Sequence, residues 1–153
     1  MSITKNDFAI NASHFDVTQG WNLLRIATGV FFFPHAISKF AGDGGINPMV
    51  LGFFEAAGFS PAAAFVILAG LLEITVGVAL VLGVCTRYAA LVGAVILFTA
   101  VYALQTVTGF KSWVWNSGGY EYPVFWAIAC LAVALEGFRQ RRTAIASAVS
   151  QSA

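Results

Sequence analysis

Long runs of apolar residues, separated by short polar stretches, set the layout of this chain. Four runs approach the roughly 20 residues that an α-helix needs to cross a bilayer: Trp21 to Phe40, Ala62 to Val84, Tyr88 to Thr108 and Tyr122 to Phe138. The second is interrupted only by Glu73, whereas the first holds Arg25, Pro34, His35 and Lys39. The pattern predicts an all-α membrane protein, an antiparallel bundle of four transmembrane helices. Gly83 closes the second run and a short VCTR link leads into the third, which reads as a tight helical hairpin. Asn47-Pro48 is an N-cap followed by proline at the first helical position. A short helix is expected from there to Gly58, lying on the outer interface between helices 1 and 2. Ser60-Pro61 repeats the signal before the second span.

Composition agrees with this layout. Hydrophobic residues make up 59% of the 153 and charged residues only 10%, against about 25% charged in soluble domains. Mean hydropathy is +0.81. A net charge of +1 argues against nucleic acid as a partner, which needs a basic patch. Cys85 and Cys130 are far apart and form no CxxC motif. Positive residues set the orientation. Arg139, Arg141 and Arg142 follow the last run, Arg87 sits in the short turn, and Lys5 and Arg25 mark the start. Both termini are therefore expected in the cytoplasm, with the longer connections outside; the bacterial inner membrane is the expected location. Three parts follow: a cytoplasmic N-terminal segment (1–20), a transmembrane domain (21–139) and a flexible polar tail (140–153). The N-terminal segment lacks the basic-then-apolar pattern of a signal peptide. It is expected to stay attached and to rest on the interface through Phe8, Ile10 and Phe15.

Charge inside the spans is the chemically informative feature, because each such group costs roughly 2.5–3.5 kcal/mol at the bilayer centre on insertion scales. Glu73 has Gly70 and Gly77 on the same helical face, so it should point into the bundle where another helix comes close. Counting depth from the outer ends gives Arg25 as its first partner and His35 as its second. The pair reads either as a structural ion pair or as a proton relay. His35 and Lys39 share a face one turn apart, beside the kink expected at Pro34. Lys39 could simply snorkel, and His35 could be a satisfied polar contact. The loop FKSWVWNSGGYEYP places Trp113, Trp115, Tyr120 and Tyr122 at a membrane surface. It reads as an aromatic belt or as the roof of a quinone site edged by His35, Lys39, Asn116 and Glu121. His14 lies on the opposite side from His35, against a bis-histidine haem in one chain. No metal site is expected.

The string LLRIATGVFFFPHAISKF resembles the opening helix of the DoxX family, with Arg25, Gly29, Phe32, His35 and Lys39 at the family's positions. GLLEITVGVALVLGVCTR resembles its second helix through Glu73, Gly83, Thr86 and Arg87, and GGYEYPVFW the start of its last through Gly119, Glu121 and Pro123. Ala36 departs from the glycine common after the histidine. The resemblance implies a four-helix protein associated with oxidoreductase systems. It suggests an accessory or quinone-interacting subunit of a respiratory or sulfur-metabolising complex, with oxidoreductase subunits as partners in the lipid bilayer. Two other classes stay open: a purely structural subunit docking a larger complex, and a small proton-coupled transporter.

Overall fold

The computed structural model describes residues 3–40, 45–109 and 113–151, without the side chain of Trp115. Its elements are helical: α1 (Gly20–Val30), α2 (Phe32–Lys39), α3 (Pro48–Ala56), α4 (Ala62–Leu82), α5 (Thr86–Thr108) and α6 (Glu121–Gln151). No strand occurs among the described residues. Three helices, α4, α5 and α6, are long and apolar enough to cross a membrane.

The first expected span is divided. Pro34 has no N–H to give the Val30 carbonyl, four residues back, and the helix breaks at Phe31. The resulting pieces have 11 and 8 residues, too short to span alone. Together, Gly20 to Lys39 would cover about 30 Å at 1.5 Å per residue. The short helix starts as its sequence predicts: Asn47 accepts a hydrogen bond from the Met49 N–H at 3.0 Å, and Pro48 takes the first turn. At α4 the cap position falls on Pro61, and no side chain caps the helix. Gly83 ends α4 at φ 76°, and the Val84 N–H returns to the Ala79 carbonyl, a Schellman closure that favours glycine. The tail expected to be a separate flexible segment continues α6 to Gln151. No glycine or proline follows Gly137, and the Thr143 and Ser147 hydroxyls bond carbonyls one turn back.

The interior combines large apolar side chains, among them Phe32, Leu80, Val66 and Trp126, with small and polar ones such as Ala90, Ala127, Thr28 and Arg25. Large apolar residues such as Phe125, Leu135 and Val95 face outward. Small interior residues let helices approach closely where lipid surrounds the bundle. Helix α4 is central and touches α1, α2, α3 and α5, while α6 packs along α5. The α1–α4 seam runs over Gly29 and Gly77. A Cβ on Gly29 would stand 2.9 Å from the Gly77 carbonyl and 2.8 Å from the Leu80 Cβ.

The N-terminal segment folds across one end of the bundle as a clasp. The Asp7 carboxylate pairs with Arg87 at 2.7 Å, and its carbonyl accepts from the Cys85 N–H at 2.7 Å. Asn22 donates to the carbonyls of Ser13 and Asp16 at 2.9 and 3.0 Å. Phe8, Ile10 and Phe15 remain exposed, available to the interface. Burial pushes the Asp7 carboxyl up, but hydrogen bonds from Thr4 and the Arg87 guanidinium outweigh it and hold the group below its ordinary range.

Gly29→Ala should destabilise the protein by about 1–3 kcal/mol through overpacking, whereas Gly52→Ala, with open space around it, should be close to neutral. Thermal unfolding in detergent checks both, and equal midpoints would remove the seam argument. The clasp should respond to acid. A carboxyl with a depressed folded pKa contributes stability above its unfolded pKa and loses it as pH falls through the folded value. Protease cleavage near Asn11 should therefore stay slow from neutral pH down to the ordinary aspartate range and quicken below it. Asp7→Asn should be cleaved faster at neutral pH.

Candidate functional site

Lys39 closes α2, and Glu73 lies near the middle of α4. The Lys39 ammonium stands 2.8 and 2.7 Å from the two Glu73 carboxylate oxygens and donates also to the His35 carbonyl at 3.2 Å. Its three donors are thereby engaged. Both residues are buried. Lys39 therefore does not snorkel to the surface. Its stem runs over Gly70, where a Cβ would sit 3.6 Å from Lys39 Cδ and 2.5 Å from the Phe40 ring. Glycine at that position lets α2 come close enough for the pair to form.

The expected Arg25–Glu73 pair is corrected. Arg25 lies at the far end of α4, where its guanidinium donates to the carbonyls of Leu80, Val81 and His14. Seven residues of helix, about 10 Å, separate Glu73 from Leu80. The cause is register. Gly29 packs on Gly77, which sets Arg25 against the C-terminal turn of α4 and Lys39 against its middle. Carbonyls at a helix C-terminus are natural partners for a guanidinium.

The ion pair borders a cavity of about 520 Å³ between α2, α3, α4, α5 and α6. Phe53, Phe54, Phe59 and Phe65 form an aromatic wall of successive ring contacts, and Tyr122, Trp126 and His35 also line the cavity. The His35 ring lies 5.3 Å from Trp126 and 6.4 Å from Tyr122, nearly parallel to the latter. Trp126 is held in place by its N–H bond to the Thr28 carbonyl at 3.2 Å. The His35 ring nitrogens make no hydrogen bond among the described residues, so they can serve a guest. The site thus combines an apolar slot, one imidazole with unused hydrogen-bonding capacity and one buried ion pair.

Of the expected roof, Tyr122 lines the cavity, while Trp113, Asn116 and Glu121 do not. Trp113 is exposed and meets Tyr120 edge-on at 5.2 Å. Asn116 is exposed and accepts from the Ser117 hydroxyl at 3.3 Å. Glu121 opens α6, its N–H bonded to the Trp113 carbonyl at 3.1 Å. None of these three lines the cavity, because the loop closes on itself: the Gly119 N–H bonds the Val114 carbonyl at 3.0 Å. The Trp115 side chain lies outside the described residues. The aromatics that do enclose the slot come from α3, the α3–α4 link and the first turns of α4 and α6. For Phe53 and Phe54 the sequence signal was the apolar face expected for the short helix, and for Tyr122 it was the aromatic cluster before the last span. No group of three or more metal-ligating side chains occurs among the described residues.

Comparison with known proteins adds an independent line. A family model described as DoxX matches residues 20–108, from the start of α1 to the end of α5. A protein of Bacillus subtilis (strain 168) described as "Putative oxidoreductase CatD" is 31% identical over 120 residues, 78% of this chain and 81% of that protein. No solved structure matches.

Removing one partner of the buried pair should be worse than removing both. Lys39→Met leaves a buried carboxylate uncompensated and should cost about 3–5 kcal/mol, whereas the double change with Glu73→Met should recover most of that loss. A double-mutant cycle of unfolding in mixed micelles measures this. Additive losses would show that the pair does not couple α2 to α4.

Proposed function

This chain belongs to the DoxX family of membrane proteins, and from that premise we propose that it is a quinone-interacting accessory subunit of an inner-membrane oxidoreductase. In this reading α1 and α2 together make a fourth crossing, with α3 on the outer interface. The end that carries Lys5, Arg87, Arg139, Arg141 and Arg142 faces the cytoplasm, following the positive-inside rule. The name of the Bacillus relative supports the link to oxidoreductases. The observation that carries the proposal is the aromatic-walled cavity with His35 and the Lys39–Glu73 pair along one side.

A quinone would supply the carriage of electrons. The chain's own residues would do the rest. The phenylalanine wall and the Tyr122–Trp126 side accept a flat apolar ring. The His35 ring donates a hydrogen bond to a carbonyl on that ring. The Lys39–Glu73 pair holds a proton beside it and can give or take one as the charge of the guest changes. An apolar slot with a few convergent polar groups is the usual form of such sites.

Purification in mild detergent followed by solvent extraction and mass spectrometry should recover a quinone with the wild-type protein. Added short-chain quinone should quench Trp126 fluorescence, an assignment that Trp126→Phe establishes. His35→Ala should weaken that binding by about tenfold, the scale of one lost hydrogen bond. Protein that carries no quinone and shows no quenching at Trp126 would sink the proposal.

A further inference from the structure

At the opposite end of the bundle, a second cavity of about 380 Å³ opens between the N-terminal clasp, the ends of α1, α4 and α5, and the flank of α6 around Gly137 to Arg141. Its lining includes three guanidinium groups, Arg25 from α1, Arg87 from α5 and Arg141 from α6, against one carboxylate, Asp7. Asp7 is engaged by Arg87. Arg25 is only 2% exposed, and its hydrogen bonds go to three carbonyls. Among the described residues no carboxylate pairs with it. The C-terminal carbonyls of α4 present only about half a negative charge. The Arg141 guanidinium has a long contact of 3.3 Å to the Thr4 hydroxyl. The remaining polar lining includes the Asn6, Gln19 and Gln140 amides, of which Gln19 and Gln140 each give one N–H to a neighbouring carboxylate, Asp16 and Glu136.

We propose that this cavity binds a phosphate group, presented either by the headgroup of an anionic phospholipid or by free phosphate. The planar fork of arginine matches the geometry of phosphate oxygens, two donors to two acceptors. A bound anion gives the desolvated Arg25 a full counter-charge that the protein does not provide. Arg141, half-buried in the lining, supplies the contact that can re-aim toward it. The cavity lies where the helix ends leave the apolar part of the bundle, the depth of lipid headgroups, and basic pockets between transmembrane helices suit anionic headgroups. This site shares no residue with the quinone cavity, so either proposal can fail without the other.

The test uses the full chain, delipidated in nonionic detergent, with thermal unfolding followed by intrinsic fluorescence. Three probes are titrated separately: dihexanoyl phosphatidylglycerol, inorganic phosphate and dihexanoyl phosphatidylcholine. The midpoint should rise with phosphatidylglycerol or phosphate and not with phosphatidylcholine. Arg141→Gln should weaken the apparent affinity by about tenfold, as for a lost charge-assisted hydrogen bond. Arg142→Gln, exposed and outside the cavity, should respond like the wild type. A response to phosphatidylglycerol alone assigns the headgroup as ligand, and a response to phosphate as well assigns the phosphate group by itself. No rise with either anion, an equal rise with phosphatidylcholine, or the same response from both arginine variants would overturn the proposal.

Discussion

A lysine and a glutamate placed among hydrocarbon cannot be left apart, and this requirement organises the bundle. Each charge alone would be strongly disfavoured. Together, at 2.7 Å, they tie the end of α2 to the middle of α4 and fix which residues of the two helices face each other. The pair can form only because Gly70 lets the Lys39 stem and the Phe40 ring lie on the α4 backbone. One helix turn away in either direction, the lysine would meet a carbonyl or an alkyl group instead. The same constraint leaves a space next to the pair that aromatic residues enclose. What holds the helices in register therefore also supplies the polar side of the cavity.

The other end of the bundle solves a different problem with the same means. Helix α4 ends there, and its last carbonyls need donors. Arg25 provides them from α1, while the N-terminal clasp provides a further acceptor through His14. Gly83 makes the approach possible, since a Cβ there would collide with the His14 ring. The two ends thus divide the labour. Carbonyls receive a guanidinium at one, and a carboxylate receives an ammonium near the other. Between them lies a core of Phe32, Val76, Leu80, Leu97, Trp126 and Val133, and Ala90, Ala94, Ala127 and Ala134 of α5 and α6 let those two helices pack closely.

Much of this was legible from the sequence. Apolar runs of spanning length gave α4, α5 and the membrane part of α6, and the Asn47-Pro48 and Gly83 signals placed helix ends correctly. The inward direction of Glu73 followed from its glycine neighbours. Its partner did not, because depth counting assumes equal penetration of the helices, while the Gly29–Gly77 contact sets the actual offset. Depth counting offered Arg25 and then His35; Lys39, the partner that packing selects, was not among them. The aromatic loop misled for a related reason. Trp113 and Tyr120 find each other locally, and composition says nothing about whether a tryptophan turns toward a helix bundle or toward its own loop. The clasp was invisible because Asp7 and Arg87 are 80 residues apart, with no spacing rule to join them.

Helix α6 has 31 residues, about 46 Å at 1.5 Å per residue, against a hydrocarbon core of about 30 Å. Even upright in the bilayer, a helix of that length reaches past the hydrocarbon by about three turns. The chain's polar end continues that helix to Gln151. A protein gripping it would be held up to about 16 Å from the hydrocarbon edge, at an angle set by the α5–α6 packing inside the membrane. Reach and orientation would be inherited from the bundle, where a loose tail would leave both to diffusion.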